Sequence, residues 1–355
     1  MWLARSFAAL LCRGRWTGAK RAVLTAVACV GLAVGMAQAD PVGSPHPEKP
    51  LHIAVARYTG DIHNIVANTL NLYEGDWPQP IVMETIHGQE GVTALDEGRA
   101  ELATVPILTY IKTALQQQRD AVPEDEQMVV VARLSYVAGL NIIVADREQG
   151  IETHADIVSR PVGTPPGTVT ELLLSLILQG RNLDDSDLSF VPVEPAEMEA
   201  ALRDGRIATA LVWTPFLDQI VASDPERFHI LPSGDTFTGA MLLVSQNRYL
   251  KQHRAQIRAY LAGLLAAEDL YFARPEDVIA LVASNQGVSE AAVRRTFLHS
   301  SYALQVETFP PYLYQPIARW WCDKNGLSDC VIRPGTFRAS YILREVERDG
   351  QYFSP

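Results

Sequence analysis

Hydrophobic and polar positions alternate along this chain with two periods in turn, and the alternation sets out an order of elements. Leu51 to Ala56 alternates as a strand, Tyr58 to Asp61 turns, and Ile62 to Tyr73 repeats its apolar positions at helical spacing. IVMETIHG predicts a second strand, GVTALDEGRA a short helix stopped at Gly98, and ELATVP a third strand, followed by a helix from Ile107 to Gln118. After the charged loop RDAVPEDEQ come the apolar runs MVVVARL and LNIIVAD.

The scheme then repeats with RPVGTP, a leucine-rich helix, LSFVPV, the helix PAEMEAALRDG, the strand IATALVW and the helix TPFLDQIVAS. Each unit reads strand, helix, strand, helix, strand, and each contains an Ala-Leu helix ended by glycine, in TALDEGRAELATV and AALRDGRIATALV. Beyond GAMLLVSQ the pattern is mostly helical, around Arg248 to Tyr271, Pro275 to Ser284, Ser289 to His299 and Pro311 to Asn325. Two tandem parallel-sheet units predict an α/β fold with a cleft, whose ligand lies at the carboxyl ends of the strands.

The stretch RPVGTPPGTVTELLLSLILQGRNL sharpens that expectation. Pro165 and Pro166 fix φ, Gly167 permits close backbone approach, and a helix starting near Thr168 is apolar on most sides, with Gly180 as its stop. Its first-turn N–H groups and the positive end of its dipole suit an anion. A plain strand-loop-helix joint explains the same residues equally well.

Composition changes the picture at both ends. Arg5, Arg13, Arg15, Lys20 and Arg21 precede the apolar run Ala22 to Gly35 and AQAD, which predicts an export signal cut after Ala39. The run is too short for a spanning helix, and Cys29 lacks the usual leucine three residues before it for lipidation, Ala26 standing there. Removing 39 of 355 residues leaves 316, enough for two domains, with 25 basic against 41 acidic residues, a net charge of about −16. Nucleic acid is therefore not an expected partner. Cys322 and Cys330 are the remaining cysteines and in an exported chain are expected to pair. No metal or cofactor is expected: the cysteines have no nearby histidine, His87 lacks partner ligands, and DKNGLSD lacks calcium-loop spacing.

From Arg160 to Ile220, the Gly/Thr-rich loop, leucine-rich helix, VPVEPAEMEAALRDGRIATALVWTPFLD and its Trp-x-Pro-Phe resemble the periplasmic solute-binding proteins of nitrate, sulfonate and taurine ABC importers, the NMT1/THI5-like group. The likeness extends more loosely over the mature chain. It implies a two-lobed type II periplasmic binding protein fold, lobe 1 from 40–140 and 238–355 and lobe 2 from 141–237, closing by hinge motion on a ligand in the cleft. The implied role is an exported receptor, expected to be a monomer in the periplasm, that captures a small anionic solute such as a sulfonate or nitrate and delivers it to an ABC permease and ATPase. By position, the ligand-facing groups implied are Tyr58, Thr59, Gly60, Gln89, Glu90, Thr104, Asn141, Gly167, Thr168, Val169 and Trp213. The turn ARYTGDIHN is more polar than usual for the group, and DTFTG, Asp235 to Gly239, stands at the second crossover.

Alternatives remain for several residues. Trp213 is equally suited to a ligand wall or to core. Asp61 and His63 suit a ligand ammonium, but Asp61 also suits a helix cap. Glu90 suits a ligand donor or a solvated helix start. The competing functions are a sensor partner, a binder of a pyrimidine-like vitamin precursor, and an enzyme; of enzyme motifs, H-E-x-x-H, G-x-S-x-G and G-x-x-x-x-G-K-[ST] are absent.

Overall fold

The computed structural model describes residues 49–73, 77–138, 141–183, 188–233, 238–308 and 311–349. The expected export signal, and Asp235 to Phe237 of the second crossover, lie outside the described residues. Two sheets organise the chain, the first in the strand order 300–301, 128–138, 238–246, 102–106, 52–56 and 81–85, and the second in the order 189–192, 161–164, 209–211, 143–146 and 228–231. In the first, β1 (His52–Ala56) lies parallel to both β2 (Ile81–Thr85) and β3 (Leu102–Pro106). In the second, β6 (Pro161–Thr164) lies parallel to β7 (Ser189–Pro192) and β8 (Thr209–Leu211). These are the two parallel-sheet units that the repeated strand-helix pattern predicts, in the two-lobed arrangement that the resemblance implies.

The chain passes between sheets twice. β4 (Met128–Ala138) leads to β5 (Ile143–Asp146), and β9 (Phe228–Leu231) leads back to β10 (Thr238–Gln246), which runs antiparallel to both β3 and β4. β11 (Ser300–Ser301) extends the first sheet antiparallel to β4. Each sheet buries both faces. Val131 and Leu134 join one core of the first sheet while Met128 and Val130 join the other. Ile143 and Val144 divide in the same way between two cores of the second sheet. Burial on both sides explains why these strands read as continuous apolar runs.

Helix positions follow the periodicity with three instructive differences. α1 (Ile62–Leu70), α2 (Gly88–Asp96) and α3 (Ile107–Arg119) follow β1, β2 and β3. Gly98 stops the α2 segment as expected, at φ +66, where Arg99 N reaches Ala94 O at 2.8 Å. α4 (Thr170–Gln179) starts two residues later than expected, because the amide of Thr168 closes a turn onto Pro165 O at 3.4 Å. Gly180 is right-handed, with φ −62, and the left-handed residue is Asn182 at φ 56, with Leu183 N on Leu178 O at 3.0 Å. Arg181 N and Asn182 N continue onto Leu178 O and Gln179 O, both at 2.9 Å, so the chain makes one more turn past Gly180 before it reverses.

α5 (Met198–Arg203) and α6 (Phe216–Ser223) complete the second lobe. The helix expected around Arg248 to Tyr271 is two, α7 (Asn247–Gln252) and α8 (Arg254–Ala273), divided at His253, whose φ −120 and ψ 34 leave the helical region. α9 (Pro275–Gln286), α10 (Glu290–Leu298), α11 (Pro311–Lys324) and α12 (Ile342–Asp349) follow. Cys322 and Cys330 form a disulfide across eight residues. Among the described residues no helix is long and apolar enough to cross a membrane.

Candidate functional site

The ends of the parallel strands converge on one cavity. Ala56 and Tyr58 follow β1, Ile86 to Gln89 follow β2, and Pro106, Ile107 and Thr109 follow β3. From the second lobe come Pro166 to Thr170 after β6, Leu173 and Ile177 on α4, and Trp213 after β8. The crossovers supply Val137, Ile142 and Ser233, and β10 adds Gly239, Ala240 and Met241. The empty space among these residues, open solvent at the mouth included, is about 1110 Å³.

Of the residues named from sequence, Tyr58, Gln89, Gly167, Thr168, Val169 and Trp213 line this cavity. The others stand behind it and hold its walls. Thr59 is buried, and its amide reaches Thr214 O at 3.3 Å across the lobes. Gly60 accommodates the Tyr58 ring: a Cβ there would lie 2.3 Å from that ring, so the tyrosine can fold back only over glycine. Thr104 Oγ1 accepts from Ala56 N at 2.8 Å and ties β3 to β1. Asn141 Oδ1 accepts from Ser233 N at 3.2 Å, joining the two crossovers. Glu90 Oε2 accepts from Ile86 N at 2.7 Å, which uses the carboxylate to fix the loop entering α2.

The loop Pro165 to Thr170 is braced from within. Thr168 Oγ1 donates to Pro165 O at 2.9 Å and shares a hydrogen bond with Thr170 Oγ1 at 2.7 Å, and Thr170 Oγ1 shares another with Thr164 Oγ1 at 2.8 Å. Both the amide and the hydroxyl of Thr168 are thus used inside the turn. Gly167 adopts φ +69, and its carbonyl accepts from Lys112 Nζ of α3 at 2.9 Å. The same ammonium lies 4.5 Å from the centre of the Trp321 ring. Burial lowers the Lys112 pKa, and Glu171 nearby opposes that shift.

Contacts of this kind join the lobes on both sides of the cavity. On the Gly167 side, Lys324 of α11 pairs with the buried Glu171 in the first turn of α4 and lies over the Phe190 ring at 4.6 Å. On the opposite side, Trp213 Nε1 donates to Arg57 O at 3.0 Å, Arg57 lies over the Phe216 ring, and Arg295 pairs with Asp218. At the mouth, His87 Nε2 is 3.8 Å from both Glu90 and Glu194. Sequence reasoning missed Lys112, Glu171 and Lys324, because their pairing depends on α3, α4 and α11 meeting in space, with no local motif to mark it.

Asp61 caps α1: its carboxylate accepts from Asn64 N at 3.4 Å and from Asn64 Nδ2 at 2.8 Å. Burial is the main cause that pushes its pKa up to about 6, against the lowering effect of Asn64. His63 Nε2 meets Glu268 Oε2 at 3.2 Å. Both residues sit behind the cavity, at the packing of α1 against α8. Among the described residues no group of three or more His, Cys, Asp or Glu side chains forms a metal site.

The NMT1/THI5 like family model matches residues 94–278, more than half of the chain. The chain belongs to the NMT1/THI5 like family. Among curated relatives in reach of this family member, a binding protein of Brucella abortus, provisionally so named, is 23% identical over 147 residues, 41% of this chain and 46% of the relative. The aligned region thus spans about half the length of that relative. A protein of Escherichia coli K12 provisionally named as aliphatic sulfonates-binding is 23% identical over 67% of this chain and 73% of its own. Among solved structures, the alkanesulfonate-binding protein SsuA from Xanthomonas axonopodis pv. citri bound to MOPS superposes with a TM-score of 0.64 at 18% identity, over 82% of this chain and 98% of that one. At that identity the likeness establishes the shared fold.

Proposed function

We propose that this NMT1/THI5 like protein is an exported solute receptor, which captures a small molecule between its lobes and delivers it to an ABC permease and ATPase in the inner membrane. The observation that carries the reading is the cavity lined by strand ends of both sheets and by both crossovers. Such an arrangement lets a ligand hold two lobes together, and relatives named for binding sulfonates support the receptor role. In this reading lobe 1 comprises 40–140 with 238–355 and lobe 2 comprises 141–237, Met1 to Ala39 are removed on export to the periplasm, and the mature protein acts as a monomer.

Binding without chemistry suits the lining. Its residues include no Asp, Glu, Lys, Arg or Cys, and its one histidine, His87, lies 3.8 Å from the carboxylates of Glu90 and Glu194. The names of the relatives point to a sulfonate as one candidate ligand class, although at the start of α4 the Thr168 amide and hydroxyl are used inside the turn.

The test is a thermal-shift screen of small solutes on the mature protein and on Val169→Trp, which fills the cavity from its loop. A ligand at 100 times its Kd stabilises the native state by about 2.7 kcal/mol. The receptor reading requires at least one solute that stabilises the parent and not the variant. Stabilisation that is equal in both proteins for every solute would refute it.

A further inference from the structure

We infer that the occupant of this cavity is an uncharged, predominantly apolar solute, and not a small hydrophilic anion; this deepens the receptor reading and rests on it. The two lobes face the ligand with hydrocarbon and aromatic surface. Ile107 and Met241 come from one lobe, Leu173, Ile177 and Trp213 from the other, and no Lys or Arg lies among the lining residues. Taking an anion from water into such a place forfeits its hydration, which only charge or several aimed donors can replace.

The cation and the hydroxyl nearest the Gly167 turn are already engaged. Lys112, the cation next to the Gly167 turn, donates to Gly167 O and lies over Trp321. Two helix N-termini border the cavity, and each carries its own carboxylate in the first turn: Glu90 on α2 and Glu171 on α4. An anion at the start of α2 would meet the Glu90 carboxylate where the dipole favours a negative charge, and at the start of α4 Glu171, paired with Lys324, already holds that place. Glu90 is moreover fixed by Ile86 N, and Glu194 adds a second carboxylate beside His87 at the mouth. The Thr168 amide and hydroxyl are bound to Pro165 O.

An apolar body has the opposite balance. It loses no hydration that the walls must replace, and it gains from leaving water in proportion to its area. Gln89, exposed at the mouth with its side chain on the lining, is placed to meet one polar substituent such as a hydroxyl.

The experiment is calorimetry on the mature protein at one fixed salt concentration. Benzyl alcohol and cyclohexanol are compared with ethanesulfonate, taurine and nitrate, and each titration is repeated on Val169→Trp. The expected result is that an uncharged probe binds at least about tenfold more tightly than any anion, a gap of roughly 1.4 kcal/mol, and that Val169→Trp abolishes its binding. Anions that bind the parent more tightly, and lose that binding in Val169→Trp, would overturn the solute class while leaving the receptor reading in place. Uncharged probes that bind both proteins alike would overturn the class by showing that they bind elsewhere. Binding of no probe of either class would overturn the class and remove support from the receptor reading together.

Discussion

The indole Nε1 of Trp213 donates to the carbonyl of Arg57 at 3.0 Å, joining the end of β8 in one sheet to the end of β1 in the other. The same ring lines the cavity and meets Phe216 edge-on at 6.1 Å between centres. One side chain therefore serves as both cavity wall and interlobe tie. Trp213→Phe keeps an aromatic wall and removes the tie, and a neutral hydrogen bond contributes ~0.5–1.5 kcal/mol. The variant should bind the stabilising solute about two- to tenfold more weakly by calorimetry, with nearly unchanged circular dichroism.

The tie on the other side depends on the C-terminal loop. Lys324 lies two residues beyond Cys322, inside the segment that the Cys322–Cys330 bond closes, and pairs with Glu171 of the second lobe. Lys324→Ala leaves the buried Glu171 carboxylate without this partner, and the half-exposed lysine limits the loss to about 1 kcal/mol. Replacing both cysteines with alanine should cost less than the ~3 kcal/mol expected for a loop of about 15 residues, because this loop is shorter. Urea denaturation of the two variants and of their combination checks this. If the disulfide serves to place Lys324, the combined loss will be smaller than the sum of the separate losses.

Asp61 gives a pH dependence of defined sign. Its native pKa is pushed up to about 6 from 3.8, so between those values the folded chain holds a proton that the unfolded chain releases. The contribution of this group to stability is full below pH of about 4 and is lost as pH rises through about 6, by an amount on the order of 3 kcal/mol. Asp61→Asn retains an oxygen that can cap α1 and removes the titration. The stability of the parent relative to the variant should therefore fall across that window in urea titrations at a series of pH values; a constant difference would exclude the buried carboxyl as its source.

The sheets and most of the helices were legible in the sequence because burial on both faces leaves continuous apolar strands and helical stripes that need no partner to be recognised. Gly98 was readable as a stop, while Gly180 was not, since the apolar residues around it continue to pack and Asn182 makes the reversal. Much of the candidate site was legible through strand ends, which topology places at the cleft: Tyr58, Gln89, Gly167, Thr168, Val169 and Trp213. Gly60 and Thr104 sit in the same loops yet serve the wall, and only three-dimensional packing reveals the Tyr58 ring over one and the Ala56 amide on the other. The apolar character of the cavity was hidden for a related reason. Ile107, Leu173, Ile177 and Met241 read as ordinary core residues of their helices and strand, and nothing local marks the face that opens onto a cavity.

Gly167 is the position where backbone and cavity meet most directly. A Cβ there would lie 3.2 Å from Lys112 Nζ, and φ +69 is costly for a branched residue. Gly167→Val should displace Lys112 and weaken solute binding more than Thr168→Ala does, because the latter loses only bonds within the turn. Calorimetry on both variants with one solute orders them.

Capture of a solute between closing lobes is tested most directly by small-angle X-ray scattering of the mature protein, with and without saturating amounts of the solute that stabilises it most. The radius of gyration should shrink on binding in the parent and remain unchanged in Val169→Trp. An unchanged radius in the parent despite saturation, or equal shrinkage in both proteins, would contradict capture in this cavity.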